Sequence, residues 1–430
     1  LIHSMNTSRR HNNLLKLWLT LLVLFPQYSI SESLPKYHPL QEDRVAIERS
    51  NAAPQMSYNV NKKFEGVADR FGNKDLEGAM KNLKAMLEWN LSKYEKAVVY
   101  QFMGFVYVQQ NDVDSAIEVF KKTVDFNILS NSQHQGTVFN LASLYGSQEK
   151  WDLAIDSLME FFKFEQDPAA ESYIMAGIAY FQKGQPLKAL PYIHIANQKA
   201  EKPKETWLQL ELAILFINKR YDETVGIVKQ LATYWPDKGQ YWETMAGAYM
   251  EMQKDTDALA ALNLGYKNNA IDKEETLENL ARLSLFLEIP YQAAEIMQNN
   301  MDAGLVEKNE ENLRLLLGAW TSAREFDQAI QIIDTLALML NDGTLYIQKA
   351  MLLNEKGDWS GIKDAAAMAL QDQELENPGD VYILRGMAQS ELGEYEEAID
   401  SFAQAIEVGT DGNKKNAEAW IEYVSDRRGS

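Results

Sequence analysis

Histidine, cysteine and paired carboxylates are the side chains whose spacing would first betray chemistry. The chain has five histidines and no cysteine. A helical His-Glu-x-x-His pair aims two imidazoles at one metal ion, and no such pair is present. His38, His134 and His194 lie far apart in the chain, and His194 follows Ile193 as a packed or surface side chain would. Without cysteine there is no disulfide, iron–sulfur cluster or thiol nucleophile, and no residue to carry a lipoprotein's lipid. No glycine-rich loop is built to cradle phosphate, and no nucleophile elbow is present. Glu310-Glu311 and Glu396-Glu397 read as solvated helix faces. No catalytic, cofactor-binding or metal-binding residues are therefore expected, and no enzyme. An active site would have to be assembled from scattered residues.

The elements that would position any site must form from 430 residues, 46% of them hydrophobic and 24% charged. That composition suits folded structure, yet the length exceeds what one core usually supports, about 250–300 residues. Either the chain divides into domains or it grows in one dimension as a repeat array. The net charge of −20 repels phosphate backbones and anionic membranes, so nucleic-acid binding and membrane adhesion are not expected. Acidity otherwise serves solubility.

The first 31 residues read as a signal peptide. Arg9, Arg10 and Lys16 form a basic stretch, Leu17 to Phe25 is apolar, and Ser29 and Ser31 are small residues spaced for signal peptidase. The apolar run is too short to span a bilayer, and Pro26 breaks it. The alternative is an uncleaved anchor. Removing residues 1–31 takes away three basic side chains and no acidic one, which moves the net charge from −20 to −23. A cysteine-free chain behind such a signal fits the periplasm, with no insertion in the membrane after cleavage. Residues 32–58, with Pro35, Pro39 and Pro54, read as a poorly ordered lead-in containing a short helix at Gln41 to Arg49.

From residue 59 the chain repeats itself. Tyr395-Glu396-Glu397-Ala398-Ile399 shows the pattern best. The position of Ala398 recurs as Ala79, Ala116, Ala154, Ala189, Thr224, Ala258, Ala293, Ala329 and Ile362, at steps of 33 to 38 residues. Twelve residues earlier stands a small residue in several copies, such as Gly104, Gly177 and Gly386, and nine earlier an aromatic one, such as Tyr107, Tyr145 and Tyr180. Four residues after it comes a large apolar side chain, as in Phe120, Ile193 and Phe402. This is the pattern of two antiparallel helices whose axes approach at small residues, with turn residues such as Lys183-Gly184 between them. A single hairpin cannot bury its apolar face alone, so the hairpins must stack.

On these residues the chain resembles tetratricopeptide-repeat proteins over residues 59–408, most closely at 97–127, 171–199 and 379–408. The resemblance implies an all-α, right-handed solenoid of about ten helical hairpins. A capping helix at 414–426 completes it and extends the repeat region to 59–426. Trp420 and Tyr423 are expected to cover the last hairpin. Leu212, Leu317 and Ile362 depart from the family pattern of small residues. In this family the first helix of each hairpin lines a concave groove. That implies a partner-binding face containing Phe105, Phe139, Ile178, Phe181, Gln182, Phe216, Met250, Arg314, Met351 and Met387. Val108, Ile174, Ile217, Ile347 and Ile383 join them, with Gln101, Gln209, Glu243, Glu251, Glu355 and Glu391 as polar neighbours. The alternative is that tight curvature buries many of these side chains between hairpins. The face carries no Lys and Asn set of the kind some members use to grip a C-terminal carboxylate.

A second resemblance concerns roughly residues 60–370. Tyr234-Trp235-Pro236, QYWETMAGAYMEMQKDTDALAALNLGY, LARLSLFLEIPYQAAEIMQNNMDAGL and LLLGAWTSAREFDQAI look like segments of periplasmic repeat proteins that accompany TonB–ExbB–ExbD systems. It implies a scaffold for protein–protein interaction that serves TonB-dependent outer-membrane transport, with TonB/ExbB/ExbD-type inner-membrane components as partners. The alternative is a cell-envelope assembly or chaperone-like factor that holds outer-membrane clients. The sequence does not set the oligomeric state.

Overall fold

The structure, a computed structural model, describes residues 55–165 and 167–429. The signal peptide, the helix at Gln41–Arg49 and most of the lead-in lie outside the described residues. Within them there are 21 α-helices and no strand. They divide at Tyr234 and Trp235 into two compact units.

Unit 1 contains five hairpins: α1 (Tyr58–Gly72) with α2 (Leu76–Leu87), α3 (Lys93–Gln109) with α4 (Val113–Phe126), α5 (Asn131–Ser147) with α6 (Trp151–Phe164), α7 (Ala170–Gln182) with α8 (Pro186–Lys199), and α9 (Glu205–Ile217) with α10 (Tyr221–Tyr234). Unit 2 contains five more: α11 (Gly239–Glu251) with α12 (Asp255–Lys267), α13 (Glu274–Phe286) with α14 (Pro290–Asp302), α15 (Glu310–Ser322) with α16 (Phe326–Leu340), α17 (Gly343–Lys356) with α18 (Trp359–Ala369), and α19 (Pro378–Glu391) with α20 (Tyr395–Val408). A last helix, α21 (Asp411–Gly429), follows. Within each unit every helix packs against the next in sequence. The expected all-α hairpin stack is thus observed, with the expected ten hairpins and one added helix.

The turns repeat as strictly as the helices. Each hairpin turn holds one residue in the left-handed conformation, always five residues before the repeated Ala position: Lys74, Asn111, Glu149, Gly184, Lys219, Gln253, Glu288, Arg324, Gly357 and Gly393. The next residue's N–H reaches back five residues to close the helix, as Asp75 N–H does to Arg70 C=O at 2.9 Å and Glu394 N–H to Gln389 C=O at 2.9 Å. That same residue then begins the second helix. Asp75, Asp112 and Asp358 cap it by accepting the N–H three residues on. Only three of these ten left-handed positions are glycine. A side chain there costs about 1 kcal/mol or more. Glu149→Gly should therefore raise the melting free energy of unit 1 by about 0.5–1 kcal/mol. Chemical denaturation that shows no stabilisation would exclude the turn geometry at that position.

The crossing is set by side-chain volume. A Cβ on Gly104 would stand 2.3 Å from the Phe120 ring, on Gly177 2.4 Å from Ile193 Cγ1, and on Gly386 2.6 Å from the Phe402 ring. The second helix inserts a knob where the first has no side chain. Helix–helix contact is most extensive in these three hairpins and sparsest where Val67, Leu212 and Leu317 occupy the crossing. In the α17–α18 hairpin the sizes are exchanged: Ile362 fills the Ala position and Ala366 the knob position, both fully buried. Leu212, Leu317 and Ile362 therefore change how closely the pairs approach, not the pairing.

At the C-terminus, Trp420 of α21 stacks on Phe402, with ring centroids 5.8 Å apart and planes at 12°. Ala417 and Val424 are fully buried beneath it. Tyr423 is 48% exposed. It meets Trp420 edge-on, so Val424 rather than Tyr423 closes the end of the core.

Candidate protein-interaction face

In each unit the first helices of successive hairpins offer a common outward stripe. Helical periodicity decides which residues reach it. Residues one and five places after the crossing position are exposed or half-buried throughout both units. In several hairpins the residues three places before it or four after it face a neighbouring hairpin instead, while Arg314, three before Leu317, is exposed. Gln101 shows why. It is 9% exposed and donates to Gln133 C=O at 3.1 Å and Thr137 Oγ1 at 2.8 Å, both on the next hairpin. Glu243 accepts from Thr276 Oγ1 at 2.9 Å in the same manner.

This rule sorts the expected partner-binding residues. Ile178 and Gln182 of α7 are exposed, and Met351 of α17 is 62% exposed. Phe105, Phe139, Phe216, Met250 and Met387 are half-buried. Phe105 packs edge-on against Phe120 at 5.5 Å and Phe216 against Tyr221 at 5.7 Å, while Phe139 meets Phe161 at 5.3 Å with the rings tilted by 47°. Their rings are walls of the stripe more than free anchors. Arg314 is exposed and bound to Glu310 at 2.7 Å. Phe181 is a correction: at 6% exposure it is core, as are Ile174 and Ile383. They stand four after and three before the crossing position, on the side that packs rather than the side that opens. Phe286 of α13 was missed. It is 52% exposed and lies five after Ala281, where the five-place spacing alone would have found it.

The two units differ in charge along this stripe. In unit 1 it reads Ala68, Gly72, Phe105, Gln109, Ser143, Ser147, Ile178, Gln182, Ala213 and Ile217, without one charged residue. In unit 2 it includes Glu251, Arg282, Glu355 and Glu391 beside Phe286, Met351 and Met387. Arg282 there bonds to Glu311 at 3.0 Å, and Arg427 of α21 to Glu391 at 3.3 Å. Among the described residues no group of three His, Asp or Glu side chains is placed to hold a metal ion. No helix among them is long and apolar enough to cross a membrane. A surface of this kind can desolvate apolar side chains and offer amide and hydroxyl groups to a partner's backbone.

A tetratricopeptide-repeat family matches residues 379–408, the α19–α20 hairpin. The fold and face define a helical-hairpin repeat protein, and its last hairpin is similar to a tetratricopeptide repeat. The chain is 18% identical to a tetratricopeptide repeat protein from Parabacteroides merdae, with 60% of this chain and 98% of that one covered and a TM-score of 0.30. It is 17% identical to YrrB, described as a TPR protein with an unusual peptide-binding site, over 43% of this chain and 91% of that one, at a TM-score of 0.35. MamA is likewise 17% identical, over 40% of this chain and 92% of that one, at a TM-score of 0.34. At such scores the fold rests on the helix pairing itself. No curated protein matches the sequence.

Proposed function

We propose that this chain is a protein-interaction scaffold exported to the periplasm, and that the stripe of unit 1 holds an uncharged, apolar segment of a protein partner. The observation that carries the reading is the uninterrupted neutral stripe from Ala68 to Ile217 on a chain of net charge −20. A surface kept for solubility alone would place carboxylates there, as the rest of the chain does. Ile178 and Ile217, 38% and 41% exposed, are the accessible apolar anchors, and Gln109 and Gln182 supply amide groups beside them. Export rests on the basic, apolar and small-residue order of residues 5–31. The finer reading is service to TonB-dependent outer-membrane transport, with TonB/ExbB/ExbD-type inner-membrane components as partners. It rests on the central segments quoted above.

In-cell cross-linking from position 182, exposed one turn after Ile178, tests this. One stoichiometric inner-membrane partner is the expected product, and Ile178→Asp should reduce its yield at least about tenfold, the cost of burying a charge at an apolar contact. Many heterogeneous outer-membrane proteins at that position would overturn the transport reading in favour of a chaperone-like envelope factor.

A further inference from the structure

One buried charge in unit 1 lies outside the stripe and the hairpin pattern. Glu211 of α9 is 2% exposed, and its carboxylate points between two hairpins. His194 Nδ1 of α8 stands 2.7 Å from Glu211 Oε1, and Asn197 Nδ2 donates to Oε2 at 2.7 Å. Asn197 also donates to Trp207 C=O at 3.3 Å, a second tie from α8 to α9. Gln198 Nε2 lies 2.7 Å from His194 Nε2. A buried carboxylate is tolerated only where donors or an opposite charge compensate it. Here the compensating groups all come from α8, while the charge belongs to the next hairpin.

We propose that His194 and Glu211 form a proton-operated clasp that sets how firmly the α9–α10 hairpin is held against the α7–α8 hairpin. With a proton on both ring nitrogens, His194 is a cation 2.7 Å from the buried carboxylate. The Gln198 side chain then turns its carbonyl oxygen to Nε2–H. With the second proton gone, Nδ1–H still donates to Glu211 and Nε2 accepts from the Gln198 amide, but the charge attraction is lost. The hydrogen bonds survive in both states, so the clasp loosens without opening.

The other charged groups facing the imidazole are Glu223 of α10, which favours the cation, and Arg220 just before α10, which opposes it. Arg220 is already engaged by Glu223 through two hydrogen bonds at 2.5 and 2.6 Å. The Glu211 hydrogen bond raises the His194 pKa above the ordinary 6.5, against the effect of burial. A pKa raised on folding gives stability that is complete below pH 6.5 and is lost as pH rises through the folded value. The clasp is therefore tight below pH 6.5 and slackens as pH rises through the folded value. Pro191, inside α8 and three residues before His194, removes one backbone hydrogen bond from that helix. α9 also carries Ala213 and Ile217 of the outward stripe.

The test uses the full chain and no partner, so it is independent of the interaction reading. The imidazole resonance of His194, identified by its absence in His194→Gln, should titrate above pH 6.5. Amide-exchange protection of α9 should fall as pH rises above 6.5 through the folded value in the natural chain, after correction for intrinsic exchange. It should be independent of pH in His194→Gln and in Glu211→Gln. Titration at or below 6.5, or the same fall in α9 protection in a folded variant as in the natural chain, overturns the proposal. If both variants fail to fold, titration of the natural chain decides it, with the resonance assigned through its contacts to Asn197 and Glu211.

Discussion

Phe402→Ala should lower the stability of unit 2 by about 3–5 kcal/mol, the cost of emptying a fully buried aromatic site. The ring does two things at once. It fills the space left open by Gly386, and it supports the Trp420 ring of α21, 5.8 Å away. Gly386→Ala alone should also destabilise, because its Cβ would meet the Phe402 ring at 2.6 Å. Combined with Phe402→Ala, the same methyl group enters vacated space and gains the helix preference of alanine over glycine, about 0.5–1 kcal/mol. The double variant should therefore be more stable than Phe402→Ala. A double-mutant cycle by urea denaturation checks this, and additive effects would show that the two residues do not share a site. Fluorescence of Trp420 should report the lost stacking separately.

Glu95→Gln should cost about 2–3 kcal/mol at pH 7. Glu95 is 5% exposed, and its carboxylate joins three segments. It accepts from Ser57 N–H at 2.9 Å, Ser57 Oγ–H at 2.8 Å and Ser92 N–H at 2.8 Å, while Ser92 Oγ accepts from Glu95 N–H at 3.2 Å. The result is a capping box on α3 whose acid also anchors the residue that begins α1. Burial opposes ionisation, but the donors from Ser57 and Ser92 outweigh it and bring the carboxyl from 4.5 to about 2. A folded pKa below the unfolded one gives stability that is present above pH 4.5 and lost as pH falls toward 2. The natural chain and Glu95→Gln should thus differ most at neutral pH and converge only below about pH 2, the folded value. A constant difference across that range would mean that the carboxylate's charge is not what holds Ser57. Met56 packs on the same hairpins, so the described end of the lead-in is tied to the core.

Much of this molecule was legible from residue spacing. A period of 33 to 38 residues, with small residues twelve places before a recurring register and large ones four after it, is the pattern of paired helices. Steric exclusion is local: a glycine in one helix requires a bulky partner in the other, and both are written at fixed separations, as in Gly104 with Phe120 and Gly177 with Ile193. The turns followed from the same register, although most of their left-handed residues are not glycine and composition would not have marked them. The outward face was harder to read. Phe181, Ile174 and Gln101 looked equivalent to Ile178 and Gln182 in sequence, since all lie on first helices near the crossing.

What the sequence by itself determined is the pairing: which residues form helices, where they turn, and which small and large side chains meet. Each of these depends on contacts between residues about 10–35 apart on adjoining helices, and periodicity records such contacts directly. Only the tertiary structure decided which side of each first helix stays open. That depends on the stacking of one hairpin on the next, which buries Phe181 and leaves Ile178 exposed, three residues away. It also decided that Ser57 and Ser92 share one carboxylate of Glu95, and that His194 and Glu211 share a buried charge. Polar pairs of this kind leave no period in a sequence, because each occurs once and depends on a single packing geometry.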